Sequence, residues 1–421
     1  MLSLLRAPRA LARAHVRALS TATTTTTAAR PEPQVADSLL QIGTRRIFEH
    51  EHDQYRELVR RFYEKEVIPF HAAWEEEGQV PRELWKSAGE NGLLCVTVPE
   101  EFGGMGLDVR YAAVHWEEQA YANTTGPGFF LHSEIVAPYL MHYGTQAQKE
   151  QYLPRLCTGE MISAIAMTEP GAGSDLAGMR TTATRDGTDF ILNGSKTYIT
   201  NGWHSDLVIV CAKTDPSKGA KGISLFLLEA GTKGFSKGTK LKKMGMKAQD
   251  TCELFFEDVR LPESALLGTL NGGFFHLMEQ LPQERLLVAN MALASAEACF
   301  EWTRTFVKDR AAFGKKLIDL QTIKHRLAAI KTEVSIGRTF ADRCIELLSE
   351  GKLDNSTASM AKYWLTDLQS KVADECVQLH GGAGYMWEYN IARAFADGRV
   401  ARIYGGSNEI MKELIARDFS K

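Results

Sequence analysis

The 421-residue chain reads as a multidomain α+β protein in which an antiparallel β domain lies between two helical regions. Three observations predict this. Apolar residues recur at roughly 3.6-residue spacing up to about residue 160, change to a spacing of about 2 near Ile165, and return to helical spacing from Gly273 onward. Several short strand-like runs follow one another with no helical run between them. Turn residues, above all Asn193-Gly194, punctuate that middle stretch.

The first thirty residues differ in kind. Arg6, Arg9, Arg13, Arg17 and Arg30 occur with no acid before Glu32, and residues 21–27 are threonine-rich. This composition predicts a mitochondrial transit peptide over residues 1–30, outside the fold; a basic tail would have the same composition. Domain boundaries are then expected at 37–164, 165–270 and 271–421.

In the first helical region Tyr55, Leu58, Val59 and Phe62 share one helix face, Pro81 suits a first helical turn, and Thr145 and Gly159 bracket a further helix. The glycine-rich stretch 99–108 has no preceding strand and reads as a connector. In the β region, Phe190 to Thr200 is expected to be a hairpin turning at Asn193-Gly194. Further strands are expected at Leu207 to Lys213, Gly222 to Glu229 and Thr251 to Val259, ending near Gly268. Helices then run at about Leu320 to Glu350 and Asn355 to His380, with Ser407 capping a last one through Arg417. Pro282 predicts a kink or restart in the helix that follows Gly273, because proline lacks the N–H and crowds the carbonyl of Met278.

Composition narrows the function classes. With 24% charged residues and a net charge of −3, nothing predicts nucleic-acid or membrane-surface binding, and no apolar run reaches the length of a spanning helix. Seven dispersed cysteines without CxxC spacing read as reduced, packed thiols and predict no metal site.

Four glycine-containing segments could meet a ligand: Ile165 to Asp175, Arg310 to Lys315, Gln378 to Tyr385 and Ile403 to Ile410. Taken singly each is an ordinary loop or helix end; together they suggest one large ligand. Glu284, followed by Arg285, lies in the apolar frame Leu281, Leu286, Leu287, Val288 and Ala289. Desolvation there would raise its pKa toward the range of a general base, although local sequence alone favours a solvated ion pair on a helix edge.

In chain order, MTEPGAGSD, NGSKTYITNG, RAAFGK, QLHGGAGY and IYGGSNEIMKELIAR resemble the acyl-CoA dehydrogenase family along nearly the whole mature chain. PQER and YMWEY add to the likeness. The resemblance implies a helical N-terminal domain, a β middle domain and a C-terminal four-helix bundle. It also implies FAD as cofactor, electron-transfer flavoprotein as partner, a homotetramer, and the mitochondrial matrix as location.

By the same resemblance, Ile165, Ala166, Met167, Thr168, Glu169, Pro170, Gly171, Ala172, Gly173 and Ser174 would wrap the flavin with Tyr198, Ile199 and Thr200. Arg310, Gln321, Gln378, Leu379, His380, Gly381 and Gly382 would hold the FAD of a neighbouring subunit, and Ser407, Asn408 and Glu409 would touch FAD. The substrate side would be lined by Ser174, Phe275, Pro282, Gln283, Glu284, Arg285, Gly405 and Gly406.

Many members carry their base between the residues that here are Tyr404 and Gly406, where this chain has Gly405. Members acting on long-chain and isovaleryl thioesters resemble this chain in placing a Glu before the Arg of PQER. The expected reaction is therefore α,β-dehydrogenation of a long-chain acyl-CoA in fatty-acid β-oxidation, with Glu284 as base and the Gly405 N–H as a carbonyl donor. The alternatives are a branched-chain substrate such as isovaleryl-CoA, an oxidase, or a silent flavin-bearing assembly protein. Ala383 and Gly398 stand where the family pattern suggests a bulkier residue and an alanine.

Overall fold

The computed structural model describes residues 36–420; the predicted leader lies outside them. Helices α1 (His50–Phe62), α2 (His71–Glu77), α3 (Arg82–Glu90), α4 (Val109–Tyr121), α5 (Ala137–Tyr143) and α6 (Gln146–Cys157) build the first region. A π-helical turn, His132–Val136, leads into α5. Thr145 caps α6 in a capping box with Gln148, and Gly159 follows in the left-handed conformation. Pro81 takes the position just before α3, and residues 99–108 form the expected connector, with Asp108 capping α4.

The sheet contains β1 (Ser163–Ala166), β2 (Thr182–Asp186), β3 (Asp189–Thr200), β4 (Leu207–Lys213), β5 (Ile223–Glu229), β6 (Phe235–Lys240), β7 (Thr251–Leu261) and β8 (Leu266–Leu267). Its order is β6-β7-β3-β2-β4-β5-β8, with β1 on β4. Most neighbours are antiparallel; β1 and β2 run parallel to β4. Alternate residues of β4 serve two cores. Leu207, Ile209 and Cys211 face the helices, whereas Val208, Val210 and Ala212 face a core internal to the β domain.

The hairpin expectation at Asn193-Gly194 is overturned. The chain turns at residues 187–188 between β2 and β3, and Asn193-Gly194 lies inside β3, at a bulge against β7. The Asn193 side chain accepts from the Asp258 N–H at 2.8 Å and donates to its carboxylate at 3.0 Å. Gly194 has φ of 144°, and a Cβ there would sit 2.5 Å from Thr181 Oγ1. The dipeptide thus serves a bulge, another backbone site that selects such residues.

Helices α7 (Gly273–Asp309), α8 (Gln321–Ser349), α9 (Asn355–His380), α10 (Asn390–Gly398) and α11 (Asn408–Ala416) form the last region. Ser407 caps α11. The restart predicted at Pro282 does not occur: α7 runs unbroken for 37 residues. The flanking turns are gripped by α5 and α9 through side chains of Glu284 and Arg285, and this packing outweighs one missing N–H. Gly398 also gains a reason, since a Cβ there would lie 2.2 Å from the Gln369 amide. Nothing in the structure explains Ala383.

All seven cysteines are buried and unpaired. Among the described residues no helix is long and apolar enough to cross a membrane.

Candidate active site

Glu284 is 5% exposed, and Arg285 3%. The expectation of a solvated ion pair therefore fails, and the two side chains part company. Tyr139 on α5 donates its hydroxyl to Glu284 Oε1 at 3.0 Å. Arg285 turns to α9, where it donates to Asn355 Oδ1 and, at 3.3 Å, to Ser359 Oγ. Burial raises the Glu284 carboxyl to about 7; the Tyr139 hydrogen bond and the Arg285 charge oppose that rise without cancelling it. Burial likewise lowers Arg285 to about 10.

The turn at 405–406 lies against this same stretch of α7. Both glycines are left-handed, with φ of 64° and 91°. A Cβ on Gly405 would sit 3.7 Å from Val288 Cγ2, and one on Gly406 3.9 Å from Arg285 Nη2. Val288 is one helical turn beyond Glu284. A side chain at position 405 would thus point at the stretch of α7 that carries the Glu284 carboxyl.

The loop after β1 is held from beneath. Glu169 accepts from the Arg180 and Thr181 N–H groups at 2.6 and 3.0 Å and from Lys196 Nζ at 2.9 Å, and Lys196 also donates to the Met167 carbonyl. Lys196 was not among the expected site residues, and Glu169 has its carboxylate committed to this pin. Above it, a Cβ on Gly171 or Gly173 would meet no atom within 4 Å.

Tyr198 stands beside the loop. The Thr197 N–H donates to the Thr168 carbonyl at 2.9 Å, while Tyr198 has φ of 61° and a ring side chain 69% exposed. A bulge between Lys196 and Ile199 turns it outward. An open glycine loop beside an exposed aromatic ring makes a shelf that fits a flat cofactor ring such as a flavin. Ile165, Ala166 and Ala172 are buried beneath it.

Cys211 on β4 lies within electrostatic reach of Lys196, Glu284 and Glu169, and burial pushes its thiol up to about 12. Arg310, Gln321, Gln378, Gly381 and Gly382 form a separate exposed group at one end of the helical bundle, where Phe306 stacks on His380 at 4.3 Å. No hydrogen bond or ring contact among the described residues joins that group to the shelf.

Four of the expected site residues have the following surroundings. Gln283 donates to the Glu134 carbonyl at 2.9 Å, while Phe275 projects with 63% exposure. Asn408 is buried, and its side chain bonds Lys362, Tyr363, Thr366 and Asp367; the Ser407 side chain caps α11. Tyr139, Lys362 and Glu134 escaped the sequence reading. Glu134 is an unpaired buried acid that burial raises to about 8. Its only sequence signal was an acid in an apolar run.

Residues 49–160, 164–259 and 271–419 match the N-terminal, middle and C-terminal domains of acyl-CoA dehydrogenases. This chain belongs to the acyl-CoA dehydrogenase family. It is 60% identical over 391 residues to a mitochondrial long-chain specific acyl-CoA dehydrogenase of Rattus norvegicus, covering 92% of this chain and 91% of the relative. Among solved structures, an acyl-CoA dehydrogenase from Geobacillus kaustophilus superposes with a TM-score of 0.88 at 49% identity, covering 89% of this chain and all (100%) of that one. A glutaryl-CoA dehydrogenase from Mycobacterium smegmatis in complex with FADH2 superposes with a TM-score of 0.84 at 29% identity, covering 89% of this chain and 96% of that one.

Proposed function

We propose that this chain dehydrogenates long-chain acyl-CoA thioesters to trans-2-enoyl-CoA in mitochondrial β-oxidation, with FAD as cofactor and Glu284 as the base. The observation that carries the assignment is the burial of Glu284 against a neutral donor, Tyr139, facing the Gly405 turn.

When bound, FAD supplies the acceptor for the β-hydride, and electron-transfer flavoprotein receives the electrons. The chain's own residues do the rest. Glu284 takes the α-proton from carbon, and a carboxyl near 7 is matched to that task at neutral pH because a substantial fraction is ionised while the carboxylate is more basic than an ordinary one. Tyr139 holds the carboxylate in place. Negative charge develops on the thioester oxygen as the proton leaves, and the Gly405 N–H stabilises it from a fixed position. The Gly171–Gly173 loop, Ser174, Tyr198 and Thr200 would hold the flavin ring. Arg310, Gln321 and residues 378–382 would reach the cofactor of a second copy, which makes at least a dimer the working form, and family resemblance favours a homotetramer.

Anaerobic titration of the flavin-loaded protein with palmitoyl-CoA, octanoyl-CoA and isovaleryl-CoA tests this reading. Loss of flavin absorbance should be strongest with palmitoyl-CoA and absent in Glu284→Gln on the same timescale. Undiminished bleaching in Glu284→Gln would remove the base assignment; a preference for isovaleryl-CoA would move the substrate to the branched-chain class.

A further inference from the structure

Lys362 is a fully buried lysine that the reaction as described does not use. Its ammonium donates to the Gly406 carbonyl at 2.7 Å and to Asn408 Oδ1 at 3.0 Å. The Asn408 amide is held in turn by the Tyr363 carbonyl, Thr366 Oγ1 and Asp367 Oδ1. All these partners come from α9. The same helix grips Arg285 through Asn355 and Ser359. Positions 355, 359, 362 and 366 recur at three- and four-residue steps, so they form one face of α9. That single face holds both the base-bearing turn of α7 and the Gly405-Gly406 turn opposite it.

We propose that Lys362 is a positioning residue for the thioester carbonyl, fixing the Gly405-Gly406 turn so that the Gly405 N–H, and not a backbone carbonyl, faces the substrate oxygen. This rests on the function proposed above. Two consecutive left-handed glycines have unusual conformational freedom, and a flipped peptide would turn an acceptor toward the developing negative charge. An ammonium on the Gly406 carbonyl, two peptide units beyond the Gly405 N–H, anchors the far end of the turn and restricts the backbone rotations that such a flip requires before substrate arrives. Because Asn355 and Ser359 hold Arg285 from the same rigid helix, turn and base keep a constant separation. A lysine buried to this degree is costly unless its donors are used, and two of its three are recorded in use here.

Burial and the neighbouring Arg285 charge lower Lys362 to about 8; Arg402 also lowers it, whereas Asp367 and Glu409 raise it. The clamp is therefore fully charged only below that pH.

The test uses flavin-loaded full-length protein and two ligands that differ only at the carbonyl: a long-chain acyl-CoA thioester and the alkyl-CoA thioether with CH2 in its place, both bound anaerobically in a Glu284→Gln background to prevent turnover. The expected result is that Glu284→Gln prefers the thioester by at least about tenfold, that adding Lys362→Met collapses this ratio toward one while thioether affinity holds, and that Lys362→Arg restores most of it. The ratio should also decline above about pH 8 with Lys362 but not with Lys362→Arg. An unchanged ratio in Lys362→Met overturns the proposal. So does equal loss of both ligands or of flavin in both Lys362 variants, which would mark a purely structural lysine. Failure of the base assignment reads out separately, as bleaching in Glu284→Gln with Lys362 intact.

Discussion

Of the buried glutamates on helix α7, Glu284 and Glu297 live in opposite surroundings. Glu297 belongs to a network in which Arg338 donates to it at 2.6 and 2.8 Å, to Glu117 at 3.0 Å and to Asn290 at 2.6 Å. Arg45 completes it, donating to Glu117 at 2.7 Å and to Asp342. Burial alone would raise the Glu117 carboxyl, but Arg45 and Arg338 outweigh it and hold it below its ordinary range. Glu284 has only a tyrosine hydroxyl, and its adjacent arginine faces another helix. Burial with cations commits a carboxylate to ion pairs that tie elements together. Burial with one neutral donor leaves it free to take a proton.

Removing each carboxylate's defining partner should break the comparison in different ways. The largest effect is expected for Glu284→Gln, which should cost roughly 10²–10⁴ in turnover, the usual contribution of a general base. The same variant should be more stable than wild type at pH 8, by at most about 3 kcal/mol. The sign follows from linkage: a carboxyl whose folded value is raised from 4.5 to about 7 binds its proton more tightly when folded, so the wild type loses stability as pH rises through that window. Urea unfolding at pH 5 and pH 8 checks this, and a variant less stable at pH 8 would contradict it.

Arg338→Met should do the reverse. It strands Glu117 and Glu297 without their shared cation and should destabilise the fold by about 3–5 kcal/mol, read by thermal or urea unfolding. If unfolding is unchanged, the network is not the structural counterpart described here.

The smallest effect sharpens the comparison. Tyr139→Phe removes the one donor that favours the Glu284 carboxylate, so the acidic limb of the pH–rate profile, expected near pH 7 in the wild type, should move up by at most about one unit. Activity lost at pH 6.5 should return at pH 8.5. A limb that stays in place would show that the Tyr139 hydrogen bond does not set it.

Much of the architecture was legible because it is written in local periods. The change from helical to alternating spacing near Ile165, the capping Thr145 and Ser407, and the glycines after His380 all act within a few residues of themselves. Asn193-Gly194 was misread for the same reason: a hairpin turn and a bulge ask for similar residues, and only the partner strand, through Asp258, distinguishes them. At Pro282 a real local penalty met a 37-residue helix held on several sides, and the packing won.

The site divides along the same line. The sequence by itself determined the three-region order, the glycine loops and, through the missing carboxylate at 405, where to look for a base. Only the tertiary structure decided that Glu284 parts from Arg285, that Tyr139 from α5 is its donor, and that Lys362 and Asn355, seven residues apart on α9, hold the two sides of the site. The reason is physical: a carboxyl's proton affinity depends on desolvation and on charges brought near by folding, and neighbours in space such as positions 139, 284, 362 and 405 leave no periodic trace along the chain.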